Sequence, residues 1–117
     1  MKPAWPACFA ALILCALCGC AAQKEQPRVT LTEYYSPSCE TCVEMMPVID
    51  AVQNEFKGSV ALIKISLDTK EGVLKASELS LKTIPALIFS DFQGVAYYRH
   101  DGKITKEEIE KIIKLKL

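Results

Sequence analysis

Cys39 and Cys42 are the residues of this chain best suited to chemistry, since they stand three apart at the predicted start of a helix. Residues three apart in a helix lie on one face, so the two sulfurs are neighbours. Unpaired N–H groups and the positive end of the helix dipole stabilise a thiolate at Cys39. A cysteine of ordinary pKa, about 8.5, is only about 3% thiolate at pH 7, and such surroundings lower that pKa. The spacing therefore predicts thiol–disulfide exchange, in which Cys39 attacks and Cys42 resolves the mixed disulfide.

Three other uses of the cysteine pair compete with this interpretation. A structural zinc site needs four ligands, and the chain beyond residue 20 offers no second cysteine pair and one histidine, His100. A purely structural disulfide would close so short a loop that it removes little chain entropy. Two thiolates with His100 suit Cu(I), although nothing else in the sequence supports copper and His100 is expected at the surface near the last turn. We therefore predict no metal site and no cofactor besides the redox-active disulfide.

Composition limits the remaining classes of function. The chain has 117 residues, 50% hydrophobic and 24% charged, which suits a single domain with one modest core. Fourteen basic residues balance fourteen acidic ones, so no basic field attracts nucleic acid, and we predict no nucleic-acid partner. Six cysteines suggest a disulfide scaffold, but four lie in the first twenty residues and only two lie beyond.

The first 19 residues have the pattern of a signal peptide. Lys2 supplies a positive charge, residues 3–22 carry none, and Ala7–Leu17 is an apolar stretch of suitable length. A membrane-spanning helix needs about 20 predominantly apolar residues, and this run reaches that length only when two prolines and a glycine are counted. An uncleaved anchor is therefore the less favoured alternative to a cleaved signal over residues 1–19.

Residues 17–20, Leu-Cys-Gly-Cys, resemble the bacterial lipobox, whose final cysteine receives a diacylglyceryl thioether and becomes the new N-terminus. The resemblance implies lipidation of Cys20, and ordinary cleavage after Ala22 is the alternative. Several acyl chains on Cys20 would anchor the protein stably, because each buried methylene contributes about 0.8 kcal/mol. Residues 20–28 would then be the lipidated cysteine and a polar tether that spans at most about 25–29 Å.

Such an N-terminal segment would place the protein outside the cytosol. We expect a membrane-anchored lipoprotein of the bacterial cell envelope that faces the periplasm or another extracytoplasmic space, where disulfides persist. Because the tether is short, the domain formed by residues 29–117 is expected to work close to the membrane surface.

The elements that position the cysteine pair follow from hydrophobic periodicity. Strands are predicted where β-branched and aromatic residues alternate or form short apolar runs, and helices where apolar residues recur three and four apart. Gly94 is available for a positive φ in the turn between the last two strands. The resulting order is β-α-β-α-β-β-α, an α/β fold without internal repeats. The predicted strands are Val29–Tyr35, Val60–Leu67, Ala86–Ser90 and Val95–Arg99, and the predicted helices run from Cys39 to about Lys57, from Asp68 to about Leu79 and from Thr105 onward.

Single residues in these helices carry further expectations. Pro47, inside the first helix, predicts a kink. Met45 and Met46 are both expected in the core rather than at a metal. Gly72 weakens the second helix, since glycine is unfavourable in helix interiors. Residues 105–108 form a capping box at the start of the third helix.

With these elements in place, the chain resembles the thioredoxin family over residues 29–117, in the order of its elements as well as in its C-x-x-C motif. Pro47, five residues after Cys42, matches the proline of that family's active-site helix. Thr83-Ile84-Pro85 matches its loop with a cis proline opposite the cysteines. Glu33 falls where the family has a buried carboxylate that assists proton transfer. The remaining matches are Lys64, the neighbour of that carboxylate, and the glycines Gly94 and Gly102.

The resemblance implies a minimal thioredoxin-like fold, in which helices flank a four-stranded mixed sheet of strand order 2-1-3-4. The N-terminal β-α unit of full-length thioredoxins has no counterpart in the matching region. Pro85 would shape substrate access, and the backbone at Thr83 and Ile84 would bind a substrate strand. The alternative is that Pro85 merely begins the following strand.

Glu33 lies on the same face of the first strand as Val29 and Leu31, so its carboxylate is expected to be partly buried. Burial raises the pKa of a carboxyl group and would suit Glu33 to accept the proton of Cys42, whereas Lys64 lowers that pKa. A simple Glu33–Lys64 ion pair without a redox role is the alternative.

Two departures from the family bear on the direction of exchange. Ser38 stands where members often have tryptophan, and Glu40-Thr41 stands where they often have Gly-Pro. Glu40 places negative charge beside the nascent thiolate, which disfavours the thiolate and makes the disulfide less oxidising. We predict a reduction potential nearer to that of thioredoxin, about −270 mV, than to that of strong oxidants, about −120 mV.

Together these observations predict a membrane-tethered, extracytoplasmic thiol–disulfide oxidoreductase that reduces disulfides of exported proteins. The oxidase and isomerase directions stay open. The family resemblance implies a membrane thiol carrier as electron donor, because no soluble reductant is at hand outside the cytosol. We expect a monomer whose partners are protein disulfides, that carrier and the membrane. The alternative is a non-catalytic lipoprotein that uses the thioredoxin fold to bind a partner protein or Cu(I).

Overall fold

The computed structural model describes residues 26–117. Four strands and three helices follow one another in this range as β-α-β-α-β-β-α, which confirms the predicted fold class of a minimal thioredoxin fold. The predictions for residues 1–25, which include the signal peptide, lipidation at Cys20 and most of the tether, lie outside the described residues. The elements are β1 (Val29–Tyr35), α1 (Glu40–Glu55), β2 (Val60–Ser66), α2 (Lys70–Glu78), β3 (Ala86–Asp91), β4 (Ala96–Asp101) and α3 (Lys106–Lys114).

The sheet has the strand order β2-β1-β3-β4, as predicted. β1 lies in the middle, parallel to β2 and antiparallel to β3, and β4 completes an antiparallel hairpin with β3. The register pairs Glu33 with Lys64 across β1 and β2. Because β1 and β2 run in the same direction, their carboxyl ends meet at one edge of the sheet, and α1 begins there. We call this edge the cysteine end.

The core divides between the two faces of the sheet. The apolar residues of α1 recur every three or four positions, so that Met45, Ile49 and Val52 face the sheet together with the isoleucines of α3. A smaller cluster on the second face packs Ala76 of α2 against Tyr34 and Ile88. Each fully buried aliphatic side chain contributes about 1.5–3 kcal/mol to stability. The buried faces of α1 and β1 therefore fix the start of α1 against the end of β1.

The prediction that Met45 and Met46 both lie in the core is wrong for Met46. Met45 is buried at 1% exposure, as predicted, but Met46 is 46% exposed. Successive helical residues point about 100° apart, so α1 cannot turn both methionines toward the sheet. Met46 instead lines a cavity beside the cysteines.

Gly72 has a use in α2 that the sequence did not reveal. A Cβ at this position would lie 1.8 Å from the carbonyl oxygen of Ser66, the last residue of β2. Thr69 caps the helix here, because its hydroxyl accepts a hydrogen bond from the N–H of Gly72 at 3.0 Å. Glycine therefore allows α2 to start directly against the end of β2. This close packing compensates for the low helix propensity of glycine.

The last two strands extend slightly beyond the predicted hairpin. β3 continues to Asp91, and β4 continues to Asp101, so His100 lies in β4 opposite Leu87. The turn at Gly102 follows, where φ is +95° and the N–H donates to the carbonyl oxygen of Pro85 at 2.7 Å. This bond joins the end of β4 to the loop before β3.

Candidate active site

Cys39 and Cys42 form a disulfide at the cysteine end of the sheet. Cys39 is the N-cap of α1, and the N–H of Cys42 donates to its sulfur at 3.2 Å. Cys42 is buried at 3% exposure, whereas Cys39 is partly exposed. The sulfur of Cys39 therefore faces both the helix N-terminus and the surface, which are the two conditions for a reactive thiolate.

The loop before β3 brings two of the predicted site residues to the cysteines. The carbonyl oxygen of Ile84 lies 3.9 Å from the sulfur of Cys39. The Ile84–Pro85 peptide bond is cis, and Pro85 is buried at the start of β3. Thr83, which directly precedes Ile84 in the same loop, is exposed. Ile84 thus offers backbone atoms beside the accessible sulfur, where a bound peptide could pair with them.

Glu33 is the buried carboxylate of the site. It is 1% exposed, and its Oε2 atom has no hydrogen-bond partner among the residues that the structure describes. The Nζ atom of Lys64 lies 3.8 Å from this oxygen, in a neighbouring strand. Burial raises the pKa of the Glu33 carboxyl above its ordinary value, and the nearby Lys64 ammonium opposes that rise. A carboxyl group with a raised pKa and a free oxygen can accept and return a proton.

A cavity of about 250 Å³ connects Glu33 to Cys42. Glu33 and Lys64 line one side of it, and Cys42 lines another. The side chains of Val43 and Met46, both about half exposed, form part of its wall. The structure thus gathers the buried cysteine, the carboxylate and the lysine around one space. A larger cavity of about 590 Å³ lies between α1 and the start of α3, away from these residues.

Ser36, Ser38 and Asp68 form a chain of hydrogen bonds that the sequence analysis missed. The hydroxyl of Ser36 donates to Asp68 Oδ1 at 3.0 Å and lies 2.9 Å from the hydroxyl of Ser38. Ser38 directly precedes Cys39, and Asp68 follows β2. The predicted topology could have indicated these hydrogen bonds, because residues that follow two neighbouring parallel strands come together at one edge of the sheet. The chain holds the loop between β1 and α1 against the end of β2.

No group of three or more His, Cys, Asp or Glu side chains in residues 26–117 is placed to hold a metal ion. His100 has its Nε2 atom 2.9 Å from the carbonyl oxygen of Lys103. Cys39 and Cys42, at the start of α1, form a disulfide of the kind that exchanges with other thiols.

Comparison with known proteins agrees with this geometry. The family model described as Thioredoxin matches residues 21–115. The chain is similar to thioredoxin 1 of Synechococcus elongatus, at 32% identity over 66 residues, 56% of this chain and 60% of that protein. It is also similar to protein disulfide-isomerase of Medicago sativa, at 28% identity over 83 residues, 71% of this chain and 16% of that protein.

The fold is shared with solved structures as well. One described as thioredoxin-2, a component of malaria parasite protein secretion machinery, superposes with a TM-score of 0.68 at 22% identity, over 75% of this chain and 82% of that chain. The matches to curated relatives cover less than two thirds of the length of those proteins, from 16% to 60%. Because the family model covers residues 21–115, which are most of the sequence, the chain belongs to the thioredoxin family.

Proposed function

We propose that the protein is a membrane-tethered thiol–disulfide oxidoreductase that reduces disulfides of exported proteins outside the cytosol. One observation carries the chemistry: the Cys39–Cys42 disulfide lies at the start of α1, and its buried member shares a cavity with the buried carboxylate of Glu33. Membership of the thioredoxin family supports this class of reaction. The tether and the location rest on the sequence of residues 1–28.

In the first step, the Cys39 thiolate attacks one sulfur of a substrate disulfide. A bond forms between Cys39 and that sulfur, the substrate S–S bond breaks, and the other substrate sulfur leaves as a thiolate. The N–H of Cys42, which donates to the Cys39 sulfur in the disulfide, is placed to stabilise the thiolate in the dithiol. The backbone at Ile84 would hold the substrate strand beside the sulfur.

In the second step, Cys42 attacks the sulfur of Cys39. The Cys39–Cys42 bond forms, the mixed disulfide breaks, and the second substrate sulfur leaves. Cys42 must first lose its proton, and we assign Glu33 as the acceptor. The cavity between them has room for water, whose share of liquid volume is about 30 Å³ per molecule, so a water molecule can carry this proton. Two electrons pass from the dithiol to the substrate, whose two thiolates take up protons.

A further turnover requires that the Cys39–Cys42 disulfide is reduced again. We propose that a membrane thiol carrier supplies the two electrons by the same exchange chemistry run in reverse. Glu40 is exposed in the first turn of α1, where its charge disfavours the Cys39 thiolate and makes the pair a better reductant. Both thioredoxins and protein disulfide-isomerases are among the relatives, so the direction of electron flow depends on the potential of this pair.

Single-turnover reduction of a model protein disulfide tests the proposal. The reduced full chain should release substrate thiols, and Cys39→Ser should abolish the release. Cys42→Ser should complete the first step and stop at the mixed disulfide, because the resolving thiol is missing. Glu33→Gln should leave the first step intact and slow the second, since general bases contribute about 10²–10⁴-fold to such steps.

The opposite outcomes point elsewhere. Release of thiols that survives Cys39→Ser would exclude the proposed mechanism. An intact chain that releases none would favour the alternative of a binding lipoprotein, and a Cu(I) titration of the reduced dithiol would then separate copper binding from binding of a partner protein.

A further inference from the structure

The end of the sheet opposite the cysteines carries an unusual set of exposed side chains. We call it the hairpin end, because β1 begins there and the β3–β4 hairpin turns there. Phe92 in that turn is 73% exposed, and Val95 beside it is 58% exposed. Leu115, one residue beyond α3, is 68% exposed. Three large apolar side chains are thus exposed at this end of the domain, and others are exposed beside the cysteines and on α2.

Backbone pairing shows that these side chains belong to one surface. Val29, the first residue of β1, lies opposite Asp91, which precedes Phe92. Phe92, Lys116 and Arg28 line one cavity of about 410 Å³ together with Gln26. The start of the described chain, the hairpin turn and the segment after α3 therefore meet at the hairpin end.

Cations accompany the apolar side chains. Arg28, Lys57 and Lys116 are exposed there, and none of them forms an ion pair with any residue of 26–117. The Oδ1 atom of Asp91 accepts hydrogen bonds from the N–H groups of Gln93 and Val95 at 2.9 and 3.0 Å, so this carboxylate caps the turn and forms no ion pair with these three cations. The surface therefore combines an exposed aromatic ring and aliphatic side chains with unpaired positive charge.

We propose that the hairpin end docks on the surface of an anionic phospholipid bilayer. Aromatic and aliphatic side chains enter the boundary between headgroups and acyl chains, and lysine and arginine are attracted to anionic lipids. The chain outside the structure favours this occupant: the proposed lipid anchor at Cys20 lies only six residues before Gln26, and Gln26 lines the cavity at this surface. This part of the inference rests on the proposed membrane tether.

The consequence is an orientation for the reaction. Cys39 follows the carboxyl end of β1, whereas the docking surface lies at its amino end. The seven residues of β1 span about 20 Å at roughly 3.3 Å per residue, so the cysteine pair would be held away from the lipid headgroups. The domain would then have a fixed orientation that presents its dithiol to exported proteins, instead of rotating freely about its tether.

Tryptophan fluorescence in vesicles tests this orientation. The sequence has one tryptophan, Trp5, which lies in the proposed signal peptide, so the processed protein has no tryptophan background. Phe92→Trp places a reporter on the docking surface. Val73→Trp is the matched control, because Val73 is 54% exposed in the first turn of α2, beside the carboxyl end of β2. Each variant, purified from membranes in its processed, tethered form, is reconstituted into phosphatidylcholine–phosphatidylglycerol vesicles with and without brominated acyl chains.

We expect the tryptophan at position 92 to lose about half of its emission in brominated vesicles, because interfacial side chains lie about 5–10 Å into the boundary region. The tryptophan at position 73 should lose almost none. Adding Arg28→Glu and Lys116→Glu should reduce the quenching at position 92, as should raised salt.

Flotation of the vesicles separates the docking surface from the tether. Protein that floats with vesicles while position 92 stays unquenched would overturn the docking surface and leave the tether standing. Equal quenching at positions 92 and 73 would overturn the orientation. A third outcome is quenching at position 92 at low salt, followed by loss of flotation after a high-salt wash. This outcome would support the docking surface and count against the lipid tether.

Discussion

Glu33 is the residue whose chemistry depends most on the fold around it. The alternation of β1 correctly places it on the buried face with Val29 and Leu31, and the register of β1 and β2 sets Lys64 beside it. What the sequence could not show is that Oε2 finds no hydrogen bond. That outcome depends on the side chains of α1 that close the cavity, and on Met46 turning outward to line it. The raised pKa of Glu33 is therefore a property of the assembled structure.

Glu33→Gln should stabilise the protein at neutral pH. Burial raises the folded-state pKa of Glu33 above the ordinary value of 4.5, so the protonated form favours folding below that value. This contribution is lost as the pH rises from 4.5 through the raised pKa, because the folded state must then hold a buried charge. Removing the charge should increase the free energy of unfolding at pH 7 by about 1–3 kcal/mol. Urea unfolding of both proteins from pH 4 to pH 8 measures the difference.

Lys64→Met is the companion variant. Without the ammonium group, the folded-state pKa of Glu33 should rise further, so the pH window in which stability falls should start at the same pH and extend to a higher one. Glu78→Gln, at an exposed glutamate, is the control and should change little. A Glu33→Gln protein that is less stable than the parent throughout this pH range would show that the Glu33–Lys64 pair is a stabilising ion pair.

At the scale of elements, the sequence pattern located every strand and helix, and capping explains why. Thr105 and Glu108 make both hydrogen bonds of the predicted capping box. Close approaches between elements were not predictable, because they depend on the distance between two backbones. Gly72 shows this where α2 starts against β2. The positive φ of Ser80, +53°, just after α2 was likewise not predicted, because serine is not a residue that favours the left-handed region.

Gly72→Ala should destabilise the domain although alanine is the better helix former. The added Cβ would meet the carbonyl oxygen of Ser66, a backbone atom that cannot move away cheaply. Overpacking of this kind costs about 1–3 kcal/mol or more, against a propensity gain of about 1 kcal/mol. We expect a net loss of about 1–2 kcal/mol, measured as a lower midpoint of thermal unfolding. A higher midpoint would mean that α2 moves away from β2 without cost.

Ser80→Gly should have the opposite effect. Ser80 ends α2 in the left-handed region, where its N–H donates to the carbonyl oxygen of Ser77 and the next N–H, of Leu81, donates to that of Ala76. This backbone conformation costs a non-glycine residue about 1–2 kcal/mol, and the greater unfolded-state entropy of glycine offsets about half of that. We expect a gain of about 0.5–1 kcal/mol in the free energy of unfolding.

Ser77→Gly is the matched control, three residues earlier and inside the helix. Glycine there should lower the free energy of unfolding by about 0.5 kcal/mol, because it weakens the helix without relieving strain. Equal losses at positions 77 and 80 in a denaturant titration would contradict the assigned conformation of Ser80.

At the scale of the whole molecule, the order of elements and the strand order 2-1-3-4 were predictable from the sequence, since each element carries its own periodicity and the family resemblance supplied the topology. The pairing of Cys39 with Cys42 and the approach of Ile84 agree with that resemblance. The two ends of the domain were not predictable. Phe92, Lys116 and Arg28 are far apart along the chain and meet only once the sheet has formed.

The direction of electron flow is the central claim, and the reduction potential of the Cys39–Cys42 pair tests it most directly. The full chain is equilibrated with glutathione buffers of known potential, and the fraction of free thiols is measured at each. A value near about −270 mV, as in thioredoxin, is expected and would make the protein a reductant. A pair that stays reduced in buffers as oxidising as about −180 mV would contradict the account, because such a pair would accept electrons from its substrates.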